Sequence, residues 1–98
     1  MYINLSVRGE KRIVAACDSE LLGQVFEEGG AILDLERHKS FYMGEKADAG
    51  KLGNALGKFD SANLVGKKAV GVALERGIAE KEDVKYIKKV PHLQIYRI

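Results

Sequence analysis

The chain of 98 residues has the length of one small domain, enough to bury about 60 to 65% of its unfolded surface around a single core. Its 16 basic and 14 acidic residues leave a net charge of +2, too balanced for nucleic-acid binding through bulk electrostatics, so any basic site has to come from local clustering. Apolar residues make up 46% but form no run near the roughly 20 needed to cross a bilayer, and the lone Cys17 excludes an internal disulfide.

From the N-terminus, Ile3, Leu5 and Val7 alternate with Tyr2, Asn4 and Ser6 at the period of a half-buried strand. Charge arrives by residue 8, so the segment lacks the continuous apolar stretch of a secretory signal, and a cytoplasmic protein without membrane association is expected. Gly9-Glu10 reads as a turn into a second strand over residues 12–17, forming an antiparallel hairpin. In "CDSELLGQVF", Asp18 or Ser19 can cap a helix whose Leu21, Leu22, Val25 and Phe26 cluster at helical spacing, and Gly29-Gly30 would stop it. Residues 31–35 return to a strand pattern, and "ERHKSFYMGEK" reads as a loop with an aromatic anchor.

Ala49, Leu52, Leu56 and Phe59 predict a helix over 48–59, weakened by Gly50, Gly53 and Gly57. A further helix is predicted from Asp60 or Ser61 to Gly77, with Ala62, Val65, Gly66, Ala69, Val72 and Ala73 on one small-residue face. Residues 80–83 form a polar turn, and strands follow around Val84, Tyr86 and Val90 and over 92–98. Pro91 reads as a corner that breaks the ladder and leaves His92 exposed. The order β-β-α-β-α-α-β-β gives a single α+β domain over residues 1–98, a mainly antiparallel sheet with two to three helices packed on one side.

Residues that could carry chemistry are few. Cys17 and Asp18 stand where a helix dipole would lower a thiol pKa, but a lone Cys after "IVAA" is more often a small buried hydrophobe followed by a capping Asp. His38 and His92 are far apart and have no paired-ligand spacing, so no metal is assigned. The glycines match neither a phosphate loop nor a dinucleotide fingerprint, so no cofactor is assigned either. Arg8, Lys11 and Arg12, with Lys67 and Lys68 beside Lys58, and Lys88 and Lys89 beside Lys85, are candidate phosphate contacts; the alternative is a solvated face interleaved with Glu. Tyr42, Tyr86 or Tyr96 exposed near such a group would favour RNA, because aromatic rings stack on unpaired bases. Asn63, flanked by Ala62, Leu64, Val65 and Gly66, needs a hydrogen-bond partner if buried.

Three segments, "AACDSELLG", "SANLVGKKAV" and "VPHLQI", resemble in order and spacing a small, mainly archaeal family known as domain of unknown function 424. The family-like positions are Cys17, Asp18, Leu22 and Gly23; Asn63 to Gly66; and Pro91, His92 and Gln94. The resemblance implies a single-domain cytoplasmic protein without an assigned activity, and its archaeal character an expected link to information processing such as translation.

The leading expectation is a non-enzymatic binding module for RNA or a ribonucleoprotein, with Asn63, Pro91, His92, Gln94, Cys17 and Asp18 as the candidate functional surface. One alternative is a small enzyme in which His92 acts with Asp18 or activates Cys17. Another is a protein-interaction or homo-oligomeric domain that extends its sheet through an edge strand.

Overall fold

Alternation at the N-terminus produces β1 (Tyr2–Arg8), which pairs along its whole length with β2 (Lys11–Cys17) in a tight antiparallel hairpin. A computed structural model describes residues 1–97, so the last residue of the predicted C-terminal strand, Ile98, lies outside the described residues. Further along the chain are β3 (Val25–Glu28), β4 (Ala31–Asp34), the one-turn α1 (Lys39–Tyr42), the short β5 (Glu45–Lys46) and α2 (Ala49–Ala55). They are followed by β6 (Ser61–Val65), α3 (Lys67–Glu75), β7 (Lys85–Ile87) and β8 (Val90–Tyr96).

Six strands form one sheet in the order β5-β1-β2-β6-β8-β7, and β3 and β4 form a separate hairpin. Every neighbouring pair in the large sheet is antiparallel except β2 and β6. The architecture is therefore α+β with a mainly antiparallel sheet.

The sheet is covered on both faces. Ile3, Val14, Ala16, Ala62, Leu64 and Leu93 turn to one side and pack with Leu52 and Leu56 of α2 and Ala69, Val70 and Ala73 of α3. Successive strand residues point to opposite faces, so Ala15, Cys17, Val65 and Val90 belong to a second cluster, closed by Leu33, Leu35 and Tyr42 from the β3–β4 hairpin, the turn after it and α1.

Two predicted helices are corrected. The segment after Cys17 is not a helix: Ser19–Leu21 make a single 3-10 turn and residues 25–28 pair with 31–34. Gly29 and Gly30, with φ of 57° and 85°, are the two left-handed residues of a type I′ hairpin loop instead of a helix stop. The predicted helix from residue 60 to 77 is a strand followed by a helix. Asp60 does not cap it, because its carboxylate accepts the Arg12 amide at 2.7 Å and fixes the start of β6. Ala62 and Leu64 face one way and Asn63 and Val65 the other, as a central strand between β2 and β8 requires. Gly66, at φ 105°, then turns the chain from β6 into α3.

Pro91 is not a corner. The Val90–Pro91 bond is trans, and Pro91 lies buried inside β8 opposite Tyr86. Its carbonyl accepts the Gly66 amide at 2.9 Å, while the Gly66 carbonyl takes the Val70 amide at 2.9 Å as the first bond of α3. A residue without an N–H suits this place, because the carbonyl a ladder donor would seek is already engaged by the helix. The reversal lies two residues earlier, at Lys88 and Lys89, both left-handed with φ of 51° and 64°.

Candidate functional site

His92, Gln94 and Tyr96 are alternate residues of β8, so all three side chains leave the sheet on the face opposite α2 and α3. Register places Asn63 of β6 directly across from Gln94 and Val65 across from His92. The Gln94 side-chain amide donates from Nε2 to Asn63 Oδ1 at 3.0 Å, which gives Asn63 its partner. Asn63 is thus a mid-strand residue with its side chain on the open part of the face, not a residue of a helix start.

The β3–β4 hairpin and α1 stand over this row and leave a cleft of about 590 Å³. Its floor is Asn63, His92 and Gln94, and Tyr96 stands at its mouth, 71% exposed. Ile32, Arg37, His38 and Phe41 contribute the facing wall and rim. Arg37 is held there by Asp34, whose Oδ1 accepts the Glu36 and Arg37 amides at 3.2 and 2.8 Å, a local turn that short polar side chains favour. The volume is in the range of sites for small organic groups, about 300–1,000 Å³.

His92 is half-buried instead of exposed, and its Nε2 is buried without a hydrogen-bond partner. Burial holds its pKa below the ordinary 6.5, and Lys85, opposite it on β7, lowers it further. Both effects favour the neutral imidazole, whose buried Nε2 is free of protein partners.

Cys17 and Asp18 are elsewhere. Cys17 is fully buried, its Sγ 3.4 Å from the Asp18 carbonyl, and burial followed by the Asp18 and Glu20 carboxylates pushes the thiol up to about 12. Register sets Val65 between Cys17 and His92, two strand spacings or roughly 10 Å apart at the backbone. The Asp18 carboxylate is 2% exposed and accepts the Lys68 and Ala69 amides at 3.0 and 2.9 Å. It caps α3, 50 residues away, instead of the segment that follows it. The structure does not bring His92 together with either residue.

The basic candidates fall at opposite ends of the sheet. Lys67, Lys68 and Lys89 line one shallow cleft of about 300 Å³ with Asp18, Glu20 and Pro91. Lys88 is next to it at the hairpin tip, where its amide donates to Glu28 Oε1 at 3.1 Å. Arg8, Lys11 and Arg12 are at the other end of β2, where Arg12 and Lys58 border a groove of about 440 Å³ with Leu5 and Val7. Among the described residues no three His, Cys, Asp or Glu side chains gather as a metal site, and no helix is long and apolar enough to cross a membrane.

No local sequence pattern marks Arg37, Phe41 and Ile32 as site residues, and His38 stands out there only as a metal-ligand candidate. The signal for them was the Gly-Gly loop, which predicts a hairpin and so brings Ile32 and the following turn back over the sheet.

A family model described as "Protein of unknown function (DUF424)" matches residues 5–98. Among solved structures, one described as an uncharacterized conserved protein from Methanopyrus kandleri is similar, with 26% identity and a TM-score of 0.79 over 97% of this chain and 89% of that one. No curated protein matches the chain.

Proposed function

The chain belongs to the DUF424 family, whose description assigns no activity, and from that starting point we propose that it is a non-enzymatic binding module for RNA. The observation that carries this reading is the cleft in which Asn63, His92, Gln94 and Tyr96 of adjacent strands face a rim bearing Arg37 and His38. Hydrogen-bonding amides, an exposed aromatic ring and cationic side chains are the groups that recognise unpaired RNA. Lys67, Lys68 and Lys89, beside one another at the start of α3, supply a separate, sequence-independent phosphate contact. The expected setting is the cytoplasm, and the expected targets are RNA or ribonucleoprotein of the translation machinery.

The test is binding to total cytosolic RNA and to purified ribosomes as salt is raised, for the wild type and the double variant Lys67→Glu, Lys68→Glu. Binding that weakens with salt, and weakens further on charge reversal, is expected because phosphate contacts release counterions. Absence of binding at low salt overturns the reading.

One observation favours a second reading, association between copies. Pairing of β1 with β5 covers only Tyr2 and Ile3, and beyond them Leu5 and Val7 stand 53% and 66% exposed. An open strand edge with apolar side chains is a template for another strand. Sedimentation of wild type against Leu5→Lys separates a dimer from a monomer.

A further inference from the structure

The Asn63–Gln94 pair is a prepared hydrogen-bonding edge. Gln94 Nε2 is fixed on Asn63 Oδ1 at 3.0 Å, which leaves the Asn63 side-chain N–H groups as donors and Gln94 Oε1 as an acceptor, side by side on the cleft floor. A ligand that satisfies both carries an acceptor and a donor on one edge. Tyr96 rises two residues along the same strand, roughly 7 Å from Gln94, with most of its ring in solvent. A flat ring resting edge-down on the amides therefore has the Tyr96 side chain beside it, and Ile32, itself 61% exposed, on the facing wall. Arg37 and His38 at the rim put positive or hydrogen-bonding groups where an anion attached to that ring would lie.

A nucleotide meets this description: a flat ring with a donor and an acceptor on one edge, joined to an anion. Resting on the RNA reading, we propose that this cleft takes one unstacked nucleobase of single-stranded RNA, its edge on Asn63 and Gln94 and its face on Tyr96. A base inside a duplex is paired along its edge and covered on both faces, so its edge cannot reach the amides and its face cannot reach Tyr96 in a cleft walled on one side by the β3–β4 hairpin and α1. The lysines at the start of α3 contact backbone in either kind of RNA; the cleft selects the single strand.

The experiment is fluorescence anisotropy with a labelled unstructured RNA of about 12 nucleotides, the same strand in a duplex, and unlabelled mononucleotides as competitors, a length that spans a typical single-strand site. Variants are Tyr96→Ala, Tyr96→Phe and Gln94→Met, chosen on exposed side chains so that folding is retained. The single strand is expected to bind about tenfold or more tighter than the duplex, with Tyr96→Ala and Gln94→Met each losing about tenfold and Tyr96→Phe close to wild type. RNA binding that depends on Lys67 and Lys68 but ignores Tyr96 and Gln94 overturns the cleft proposal and leaves the RNA reading standing. Failure of every RNA to bind overturns both. Mononucleotides that compete at the affinity of the 12-mer make a free nucleotide the ligand and overturn RNA as its source.

Discussion

Asp18 and Gly66 are shaped to one another: the Asp18 carboxylate occupies the space that a Cβ on Gly66 would fill, and from there it accepts the Lys68 and Ala69 amides. Gly66 stands at the N-cap position of α3, where the usual Ser, Thr, Asp or Asn would cap from its own side chain. The cap instead comes from Asp18, the residue after β2, whose amide also donates to the Val65 carbonyl at 3.0 Å.

Asp18→Ala strips the partners from two amides at the start of α3 and is expected to cost about 2 kcal/mol. Gly66→Ala, at φ 105°, adds backbone strain to displacement of the carboxylate and is expected to cost about 3 kcal/mol. The double variant should cost less than the sum, because removing the carboxylate removes the clash. Urea denaturation of all three reads this coupling; strict additivity would refute the contact.

Cys17 should be inert in the folded protein. A buried thiol with its pKa pushed up to about 12 holds almost no thiolate at neutral pH. Ellman's reagent at about pH 8 should react only in denaturant, on the timescale of unfolding. Rapid reaction of the native protein would contradict the burial.

His92 makes stability pH-dependent in a stated direction. Its folded pKa lies below the unfolded 6.5, so the unfolded chain binds the proton first as pH falls. The contribution of the neutral imidazole is full above 6.5 and is lost as pH drops from there through the lower folded value. The stability of wild type relative to His92→Gln should therefore fall as pH is lowered from about 7.5 through the unfolded value and below it. A difference that stays flat over that range, or rises on acidification, would show that the imidazole is not held neutral.

Lys88 and Lys89 occupy left-handed positions where hairpin loops prefer Asn and Gly. Replacing them with Asn-Gly should stabilise the domain by about 1 to 2 kcal/mol. The same change should weaken salt-sensitive RNA binding, because it removes Lys89 from the cluster with Lys67 and Lys68. Thermal denaturation and the RNA titration together check it; a variant less stable than wild type would contradict the strain.

The first hairpin was legible because Ile3, Leu5 and Val7 keep a strict period of two and Gly9 follows them at once. The stretch from Asp60 to Gly77 was not, because its small residues satisfy the helical period as well as the strand period for five positions. What decides between them is the place of β6 between β2 and β8, a long-range fact that local pattern does not hold. Pro91 misled for a related reason: its missing N–H matters only through Gly66, which lies 25 residues earlier. His92, Gln94 and Tyr96 could be placed on one face by alternation alone. That Arg37 and His38 complete the cleft depended on reading Gly29-Gly30 as a loop between strands.

The remote cap ties the helix to the sheet in time as well as in space. A nine-residue segment without a local cap is too short to hold helical structure alone, since isolated helices below about 12–15 residues are marginal in water. α3 must therefore form with β2 and β6 already side by side, and it cannot melt while they remain so without orphaning a buried carboxylate. The amides of Lys68 and Ala69 then exchange with solvent only when the whole domain opens, at the same free energy as the central strands.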